Sequence, residues 1–288
     1  MRIFILGLDG LEYYFVKPRN YPSLKQKEYG KIILPKEALD WFDDFKIWSP
    51  YTPTIWTSFL TGKLPKEHGI TRERMRNSVW NKKFLNEARR HQFLKWLVHK
   101  IPGWRKIFSF LGFKKVKVKI AVPTIFDYAR KPIHVQVPVI DPKWEHKAPL
   151  GLRKKSVREI IKYLEKRFMK IKETTLKLLD SDDDWDLFMA YASILDWAGH
   201  AYWGIDKKME KYYNMAEKFA WDIKKRLDED TWMLIVSDHG MMPAKDGPGG
   251  MHSYHAFWSS NRILGRKNIG LLEFFPMIVK CLKGGVCP

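Results

Sequence analysis

Three continuous apolar runs, each closed by an aspartate, constrain the fold of this chain most. They are "RIFILGLDG" (2–10), "WDLFMAYASILD" (185–196) and "TWMLIVSDHG" (231–240). Runs of this kind, rich in β-branched and aromatic residues, are typical of strands buried on both faces of a sheet. A segment with apolar residues at helical spacing, 207–227, separates the second run from the third. Strand, helix, strand predicts an α/β protein with a mostly parallel sheet.

The aspartates fall where such a sheet binds ligands, which is beyond the carboxyl ends of its strands. Taken singly, Asp9, Asp196 and Asp238 are ordinary turn-forming residues. The histidines change this interpretation. His200 follows Asp196 by four residues, so a helix that begins after the strand turns both side chains toward one point. His239 is next to Asp238, at the junction of a strand and a loop.

Further histidines, His252 and His255, follow a glycine-rich loop. Imidazole and carboxylate together suit Zn²⁺, Mn²⁺ or Fe²⁺, whereas Ca²⁺ or Mg²⁺ favours oxygen ligands alone. The predicted ligands are too many for one catalytic ion and suit two. Two ions about 4 Å apart stabilise the attacking and the leaving oxygens of a displacement at phosphorus.

Cysteine use and hydropathy set further bounds. Cys281 and Cys287 are the two cysteines of the chain, so the sequence disfavours a disulfide framework and a cysteine-based zinc site. The apolar stretch at the N-terminus is too short for a signal peptide, and no run approaches the roughly 18 apolar residues of a membrane span. We therefore expect a soluble, cytoplasmic protein.

The stretch "SPYTPTIWTSFLTGKLPKEHGI" (49–70) predicts a short helix that Gly62 ends. Proline is favoured at the first helical position, which assigns the N-cap to Thr52, N1 to Pro53 and the first turn to Thr54. Thr52 is then either a capping residue alone or a nucleophile. A helix N-terminus holds phosphoryl oxygens well, and a metal ion would activate the hydroxyl without a neighbouring base. The Asp and His motifs favour the nucleophile.

Five motifs in this order resemble the alkaline phosphatase superfamily, and within it the type I phosphodiesterase and nucleotide pyrophosphatase branch. They are "LDG" after the first strand, "T-x3-W-T-S-F-x-T-G-x2-P-x2-H-G-I" from Thr52, "D-x3-H" at 196–200, "SDHGM" at 237–241 and a late histidine before "AFWSS". The motifs span residues 9 to about 260. The resemblance implies an α/β/α sandwich, two metal ions that are usually zinc, and a covalent phospho-threonine intermediate.

The resemblance also implies roles for single residues. Asp196, His200 and His252 would hold one ion. The other ion would be held by four residues, which are Asp9, Thr52, Asp238 and His239. His252 is preferred to His255 because the last ligand of the family stands about four residues before a small residue that opens a final strand. His68 matches a position that we interpret as structural.

The sequence departs from the family at a position that binds a phosphate oxygen. Animal nucleotide pyrophosphatases have an asparagine there, roughly 20 residues beyond the nucleophile, where this chain has "ITRERMR". Arg72 and Arg74 are therefore candidate substrate-binding residues, since a guanidinium binds phosphate in a bidentate manner. A positive group beside the site could also favour a monoester over a diester.

Positive charge is concentrated in one segment. The chain has a formal net charge of +20, and residues 72–119 hold fifteen lysines and arginines against two acidic residues. Aromatic and aliphatic residues are interleaved with these charges, which predicts a basic amphipathic insertion at 75–118 within a single domain of residues 1–288. Such an insertion is a solvated face, a lid that attracts anionic substrate, or a contact with an anionic membrane surface. Strands are predicted on its far side, at 116–126 and 133–141.

The leading hypothesis is a metal-dependent phosphoric-ester hydrolase that acts on a phosphate-containing small molecule through Thr52, with zinc or manganese bound. A phosphomonoesterase, or a phosphotransferase or mutase, of the same superfamily is the alternative. A non-catalytic protein that binds membranes or nucleic acid is the least favoured, because the set of candidate ligands is complete.

Overall fold

A seven-stranded sheet forms the centre of the structure, a computed structural model that describes residues 1–43, 46–77, 118–142, 144, 156–182, 184–245 and 249–288. The strands of the described chain are β1 (Ile3–Leu8), β2 (Glu28–Ile33), β3 (Asp40–Phe42), β4 (Ile47–Ser49), β5 (Pro132–Val135), β6 (Leu187–Ala192), β7 (Trp232–Val236), β8 (Met241–Pro243), β9 (Gly250–His252), β10 (His255–Ser260) and β11 (Asn268–Gly270). The sheet has the order β11-β2-β10-β7-β1-β6-β5, while β3 with β4 and β8 with β9 form two small hairpins.

The central sheet is mostly parallel, as predicted. The strand β1 lies between β6 and β7 and is parallel to both, and β5 is parallel to β6. Within the described sheet β10 alone is reversed, because it pairs antiparallel with both β7 and β2. The three apolar runs are therefore adjacent strands, and their carboxyl ends meet at one edge.

Helices cover both faces of the sheet. Those of the described chain are α1 (Tyr13–Val16), α2 (Pro22–Lys25), α3 (Thr52–Thr61), α4 (Pro65–His68), α5 (Arg72–Asn77), α6 (Val157–Ser181), α7 (Ile194–Tyr202), α8 (Asp206–Lys224) and α9 (Phe274–Leu282). Along β1, Phe4 and Leu6 pack in one core with α6, α7 and α8, whereas Ile3 and Ile5 pack in a second core with α3 and α9. This alternation follows from the period of two along a strand, and it confirms the α/β/α sandwich.

The start of α3 differs from the prediction. Tyr51, in extended conformation, is the N-cap, and Thr52 is the first helical residue. The backbone N–H groups of Thr54 and Ile55 both donate to the Tyr51 carbonyl oxygen, at 2.8 and 3.0 Å. Proline therefore occupies the second helical position rather than the first. The predicted end is correct, since Gly62 has a φ of 63°, which favours glycine.

Other predictions meet mixed outcomes. The helix predicted at 207–227 is present as α8. A strand forms at β5, but residues 118–124 form none and a 3₁₀ helix follows at Ile125–Tyr128. The predicted insertion at 75–118 lies almost entirely outside the described residues. None of the helices that the structure describes combines the length and the apolar composition needed to cross a bilayer.

The two cysteines form a disulfide bond that the sequence analysis did not predict. Cys281 lies in the last turn of α9, and its Cα atom is 5.2 Å from that of Cys287. The backbone N–H of Gly285 donates to the carbonyl oxygen of Lys280 at 2.9 Å, which turns the chain back toward the helix. One bridge at the end of the described chain is not a disulfide framework, and both sulfurs are unavailable to a metal.

Candidate metal centre and active site

Adjacent strands bring the predicted acidic residues together. Asp9 follows β1 directly, and Asp238 with His239 follows the neighbouring strand β7. Asp196 is not at the end of β6, as the sequence suggested, because that strand ends at Ala192. It lies instead in the first turn of α7, and the same helix carries His200 one turn later.

One group of donor atoms forms a small triangle. Asp196 Oδ1 is 3.2 Å from His200 Nε2 and 3.3 Å from His252 Nε2, and the two Nε2 atoms are 3.0 Å apart. Ligand atoms bound at 2.0–2.1 Å to a tetrahedral ion lie about 3.3 Å from one another. The triangle therefore has the dimensions of three ligands of one ion.

A second group is buried deeper and adjoins the first. His239 Nε2 lies 3.2 Å from Asp9 Oδ1 and 3.4 Å from Asp238 Oδ2. The same nitrogen is 3.9 Å from Asp196 Oδ1, and the rings of His239 and His252 stack with centroids 3.6 Å apart. His239 therefore stands between the two groups, whereas the resemblance assigned it to one ion alone.

The three histidines share one hydrogen-bonding arrangement. In each, Nδ1 lies close to a backbone carbonyl oxygen: Gly250 for His200 (2.9 Å), Gly240 for His239 (3.0 Å) and Pro50 for His252 (2.9 Å). A carbonyl oxygen only accepts, so Nδ1 carries the proton and donates. In the neutral ring this leaves the Nε2 lone pair directed at the carboxylates, which is the usual arrangement of metal-binding histidines.

Buried polar atoms without a hydrogen-bond partner provide the test of whether a metal fits. Among the described residues, Asp9 Oδ1, Asp196 Oδ1, both oxygens of Asp238 and His239 Nε2 lack such a partner. Leaving buried polar atoms unpaired costs free energy, so a native structure normally satisfies them. These atoms converge at one place, and their N and O chemistry suits a divalent ion of intermediate softness. The residues present therefore fit metal binding.

The electrostatics of the cluster reflect crowded like charges. Burial, together with the charge of Asp9, raises the pKa of Asp238. Burial disfavours the imidazolium of His239, but Asp238 and Asp9 outweigh it and raise the pKa to about 10. Burial likewise opposes protonation of His200, yet Asp196 raises its pKa to about 9. Without a cation, the carboxylates therefore favour protonation of His200 and His239, whereas burial and the neighbouring charge of His239 lower the pKa of His252.

The helix α3 begins beside this cluster. The hydrogen bond from His252 to the Pro50 carbonyl fixes the segment that leads into Thr52. Thr52 is buried, and its hydroxyl has no hydrogen-bond partner in the part of the chain that the structure describes. The hydroxyl of Thr54 is committed elsewhere, since it donates to Asp40 Oδ2 at 2.5 Å. Of the two threonines, Thr52 is thus the one whose hydroxyl is available.

The candidate substrate-binding arginines have backbone partners. The guanidinium of Arg72 donates to the Trp41 carbonyl oxygen at 3.3 Å and lies 4.2 Å from the centroid of the Phe42 ring. The guanidinium of Arg74 donates to the Gly69 carbonyl oxygen at 3.1 Å. These contacts attach both side chains to the segments on either side of α3. A role in binding substrate remains a prediction for both.

The sequence did not predict a role in the site for two residues beside the cluster, Tyr191 and Glu12. The buried hydroxyl of Tyr191 donates a short hydrogen bond to Asp9 Oδ2, the oxygen that faces away from His239. The buried carboxylate of Glu12 accepts hydrogen bonds from the loops that carry His239 and His252. Tyr191 lies within a strand, where a tyrosine is ordinary. Glu12 is three residues after Asp9, and nothing in its neighbourhood marks it.

Comparison with known proteins identifies the family. The sequence profile of the type I phosphodiesterase / nucleotide pyrophosphatase family matches residues 44–271, which is most of the chain. This chain belongs to that family. Among curated protein sequences, none matches it. Membership of the family supports a hydrolase that acts on phosphoester bonds.

Comparison with solved structures gives matches at low sequence identity, and a TM-score above 0.5 indicates a shared fold. The PH0037 protein from Pyrococcus horikoshii has a TM-score of 0.55 at 12% identity, over 99% of this chain and 98% of that one. Murine ectonucleotide pyrophosphatase / phosphodiesterase 5 has a TM-score of 0.46 at 13% identity, over 85% of this chain and 59% of its own. Phosphonoacetate hydrolase from Sinorhizobium meliloti has a TM-score of 0.47 at 14% identity, with 84% and 57% covered. This chain thus spans less than two thirds of the latter two proteins.

Proposed function

We propose that this protein is a metal-dependent phosphoric-ester hydrolase of the phosphodiesterase type, acting through a phospho-threonine at Thr52. The observation that carries the proposal is the convergence of unpaired carboxylate oxygens and Nε2 lone pairs beside the N-terminus of α3. A phosphate ester brings the negative charge and the electrophilic phosphorus that such a site would accept.

Two divalent ions, zinc or manganese, are the proposed cofactors. Asp196, His200 and His252 would hold one of them. The residues for the other would be Asp9, Asp238, His239 and the Thr52 hydroxyl. When bound, the ions supply positive charge that lowers the pKa of a nearby hydroxyl or water and stabilises negative charge developing at phosphorus.

The residues of the chain then divide the reaction into two displacements. The Thr52 oxygen attacks phosphorus, the alcohol leaves with its oxygen, and a phospho-threonine forms. Water attacks the phospho-threonine from the same side that the alcohol left, which restores the hydroxyl and releases phosphate or a phosphomonoester. Pro53 has no N–H, and the N–H of Thr54 is bonded to Tyr51. The Thr52 N–H is thus the backbone donor at this helix start that remains for a phosphoryl oxygen.

The decisive experiment compares hydrolysis of a nitrophenyl phosphate monoester and a bis(nitrophenyl) phosphate diester. The protein is first stripped with a chelator and then reconstituted with Zn²⁺ or Mn²⁺. We expect turnover in the reconstituted samples alone, with the diester as the better substrate. Faster hydrolysis of the monoester would establish the monoesterase alternative, and transfer of phosphate to an added alcohol would establish the transferase. Absence of metal-dependent turnover of either ester would contradict the proposal.

A further inference from the structure

The carboxylate of Glu12 is buried and surrounded by donors. Its Oε1 accepts from the backbone N–H of Tyr14 at 2.8 Å and from His255 Nε2 at 2.9 Å. Its Oε2 accepts from the backbone N–H of Met241 at 2.9 Å and lies 3.1 Å from Ser253 Oγ. Each oxygen has two partners, so no lone pair is left for a metal ion or a substrate. Glu12 is therefore not itself a ligand.

The partners of Glu12 belong to three segments that carry candidate ligands. Glu12 follows Asp9 by three residues, Met241 follows His239 by two, and Ser253 is next to His252. One carboxylate thus joins the loop after β1, the loop after β7 and the turn between β9 and β10. A second hydrogen bond joins the loops after β1 and β7, since the Ser237 hydroxyl donates to the Leu11 carbonyl oxygen at 3.2 Å.

The glycine of the "SDHGM" motif has a role in this arrangement. A Cβ atom on Gly240 would lie 1.9 Å from Glu12 Oε2, a distance that no side chain could occupy. Gly240 also bonds to the β9–β10 segment through its own backbone, because its N–H donates to the His255 carbonyl oxygen at 2.8 Å and its carbonyl accepts from the Ser253 N–H at 3.0 Å. The close approach of Glu12 to the backbone therefore needs glycine at this position.

We propose that Glu12 is a positioning residue that fixes the separation of Asp9, His239 and His252, and so sets the affinity of the cluster for divalent ions. The inference rests on the proposed function. The donors of metal sites depend on buried hydrogen bonds that hold them in place, and loss of such a bond lowers metal affinity by about 10-fold to 100-fold. Because Glu12 holds backbone segments, its loss should move several donors at once.

Glu12→Gln tests the proposal with little change of shape. An amide has one accepting oxygen, so its NH₂ group must face two donors at one end of the site. We expect the dissociation constant for Zn²⁺, measured by competition with a chromogenic chelator, to rise at least tenfold. We also expect kcat to fall more than KM rises, with part of the loss recovered at excess Zn²⁺.

Glu217→Gln is the matched control. Its two oxygens accept from the backbone N–H groups of Ser23 and Leu24, at 2.8 and 2.9 Å, so it also ties two segments together, but none of its partners adjoins a candidate ligand. We expect a comparable loss of thermal stability with Zn²⁺ affinity within twofold of the wild type. Unchanged affinity in Glu12→Gln, or an equal loss in Glu217→Gln, would overturn the inference.

Ser253→Ala decides the matter if Glu12→Gln does not fold, because it removes one donor and leaves the carboxylate. We expect its Zn²⁺ dissociation constant to rise about threefold, and an unchanged constant would count against the role of Glu12. A wild-type protein that binds no Zn²⁺ would instead contradict the proposed function, so the two failures are distinguishable.

Discussion

His252 donates from Nδ1 to the carbonyl oxygen of Pro50, two residues before Thr52. The bond orients the imidazole so that Nε2 points at Asp196, 3.3 Å away. It also attaches the turn between β9 and β10 to the entry of α3. The candidate ligand and the candidate nucleophile are therefore held by the same contact, although 200 residues separate them in the sequence.

Removal of His252 should take away one ion. In His252→Ala, only Asp196 and His200 remain of the three candidate ligands of one ion. We expect metal content to fall from about two to about one equivalent per chain. His134→Ala is the control, since His134 lies on the edge strand β5 with Nδ1 3.1 Å from Asp141 Oδ2. Metal analysis of dialysed protein measures both. Equal metal content in His252→Ala and the wild type would exclude His252 as a ligand.

Tyr191→Phe should weaken metal binding without touching a ligand. Its hydroxyl is the partner of Asp9 Oδ2, and removal leaves that oxygen buried and unpaired. We expect Zn²⁺ affinity to fall about tenfold and stability to fall by about 1–3 kcal/mol. Tyr212→Phe is the control. It removes a tyrosine hydroxyl of α8 that donates to Glu165 of α6 at 3.1 Å. If chelator competition gives the same affinity for both variants, Tyr191 does not orient Asp9.

His68 should make stability fall in mild acid. Its Nδ1 accepts from the Ile70 N–H at 3.1 Å, so the proton is on Nε2, which donates to Ser58 Oγ at 3.0 Å. Burial lowers the pKa of His68 to about 4, against an ordinary value near 6.5. Between these values the unfolded chain binds the extra proton, so stability is complete above pH 6.5 and is lost as pH falls toward 4.

Urea unfolding of the metal-free protein at pH 7 and pH 4.5 measures this effect. We expect His68 to account for about 2 kcal/mol of the difference. His68→Gln should be less stable at pH 7 and should show a correspondingly smaller dependence on pH. An identical dependence in the variant and the wild type would mean that His68 is not held neutral.

Thr54→Val should reduce stability and preserve chemistry. The Thr54 hydroxyl and the Arg72 N–H, at 2.9 Å, are donors to Asp40, and burial raises the pKa of that carboxyl. Loss of one donor from a buried carboxylate should cost about 1–3 kcal/mol of unfolding free energy, read from urea titration. Measurable hydrolysis should remain at low temperature. Complete loss of turnover in a folded, metal-loaded Thr54→Val would contradict the assignment of Thr52 as the nucleophile.

The sequence predicts the site better than it predicts the surroundings of the site. Asp9 and Asp238 are readable because a buried strand must end before a polar residue, and parallel strands present their ends at one edge. The antiparallel direction of β10 could not be predicted from its sequence. A strand buried on both faces has the same apolar pattern whether it is parallel or antiparallel to its neighbours. The N-cap was misassigned by one residue because proline is tolerated at the second helical position as well as at the first.

Tyr191 and Glu12 were missed for a different reason. Tyr191 is 182 residues from Asp9, and Glu12 is 241 residues from Ser253. Contacts at such separations are created by the packing of the sheet and its loops, and a single sequence carries no trace of them. Candidate metal ligands can be predicted from a sequence because their residue types and spacing are characteristic. Residues that position those ligands cannot, because their contacts depend on the fold.

Thr52→Ala tests the central claim most directly. Acid quench of the metal-loaded wild type during turnover of the diester, followed by mass spectrometry of the peptide that contains Thr52, should reveal a phosphorylated threonine. In Thr52→Ala we expect no phosphopeptide and turnover reduced at least about 1,000-fold, with metal content still close to two equivalents because the Asp and His ligands persist. Wild-type turnover by Thr52→Ala would contradict the account.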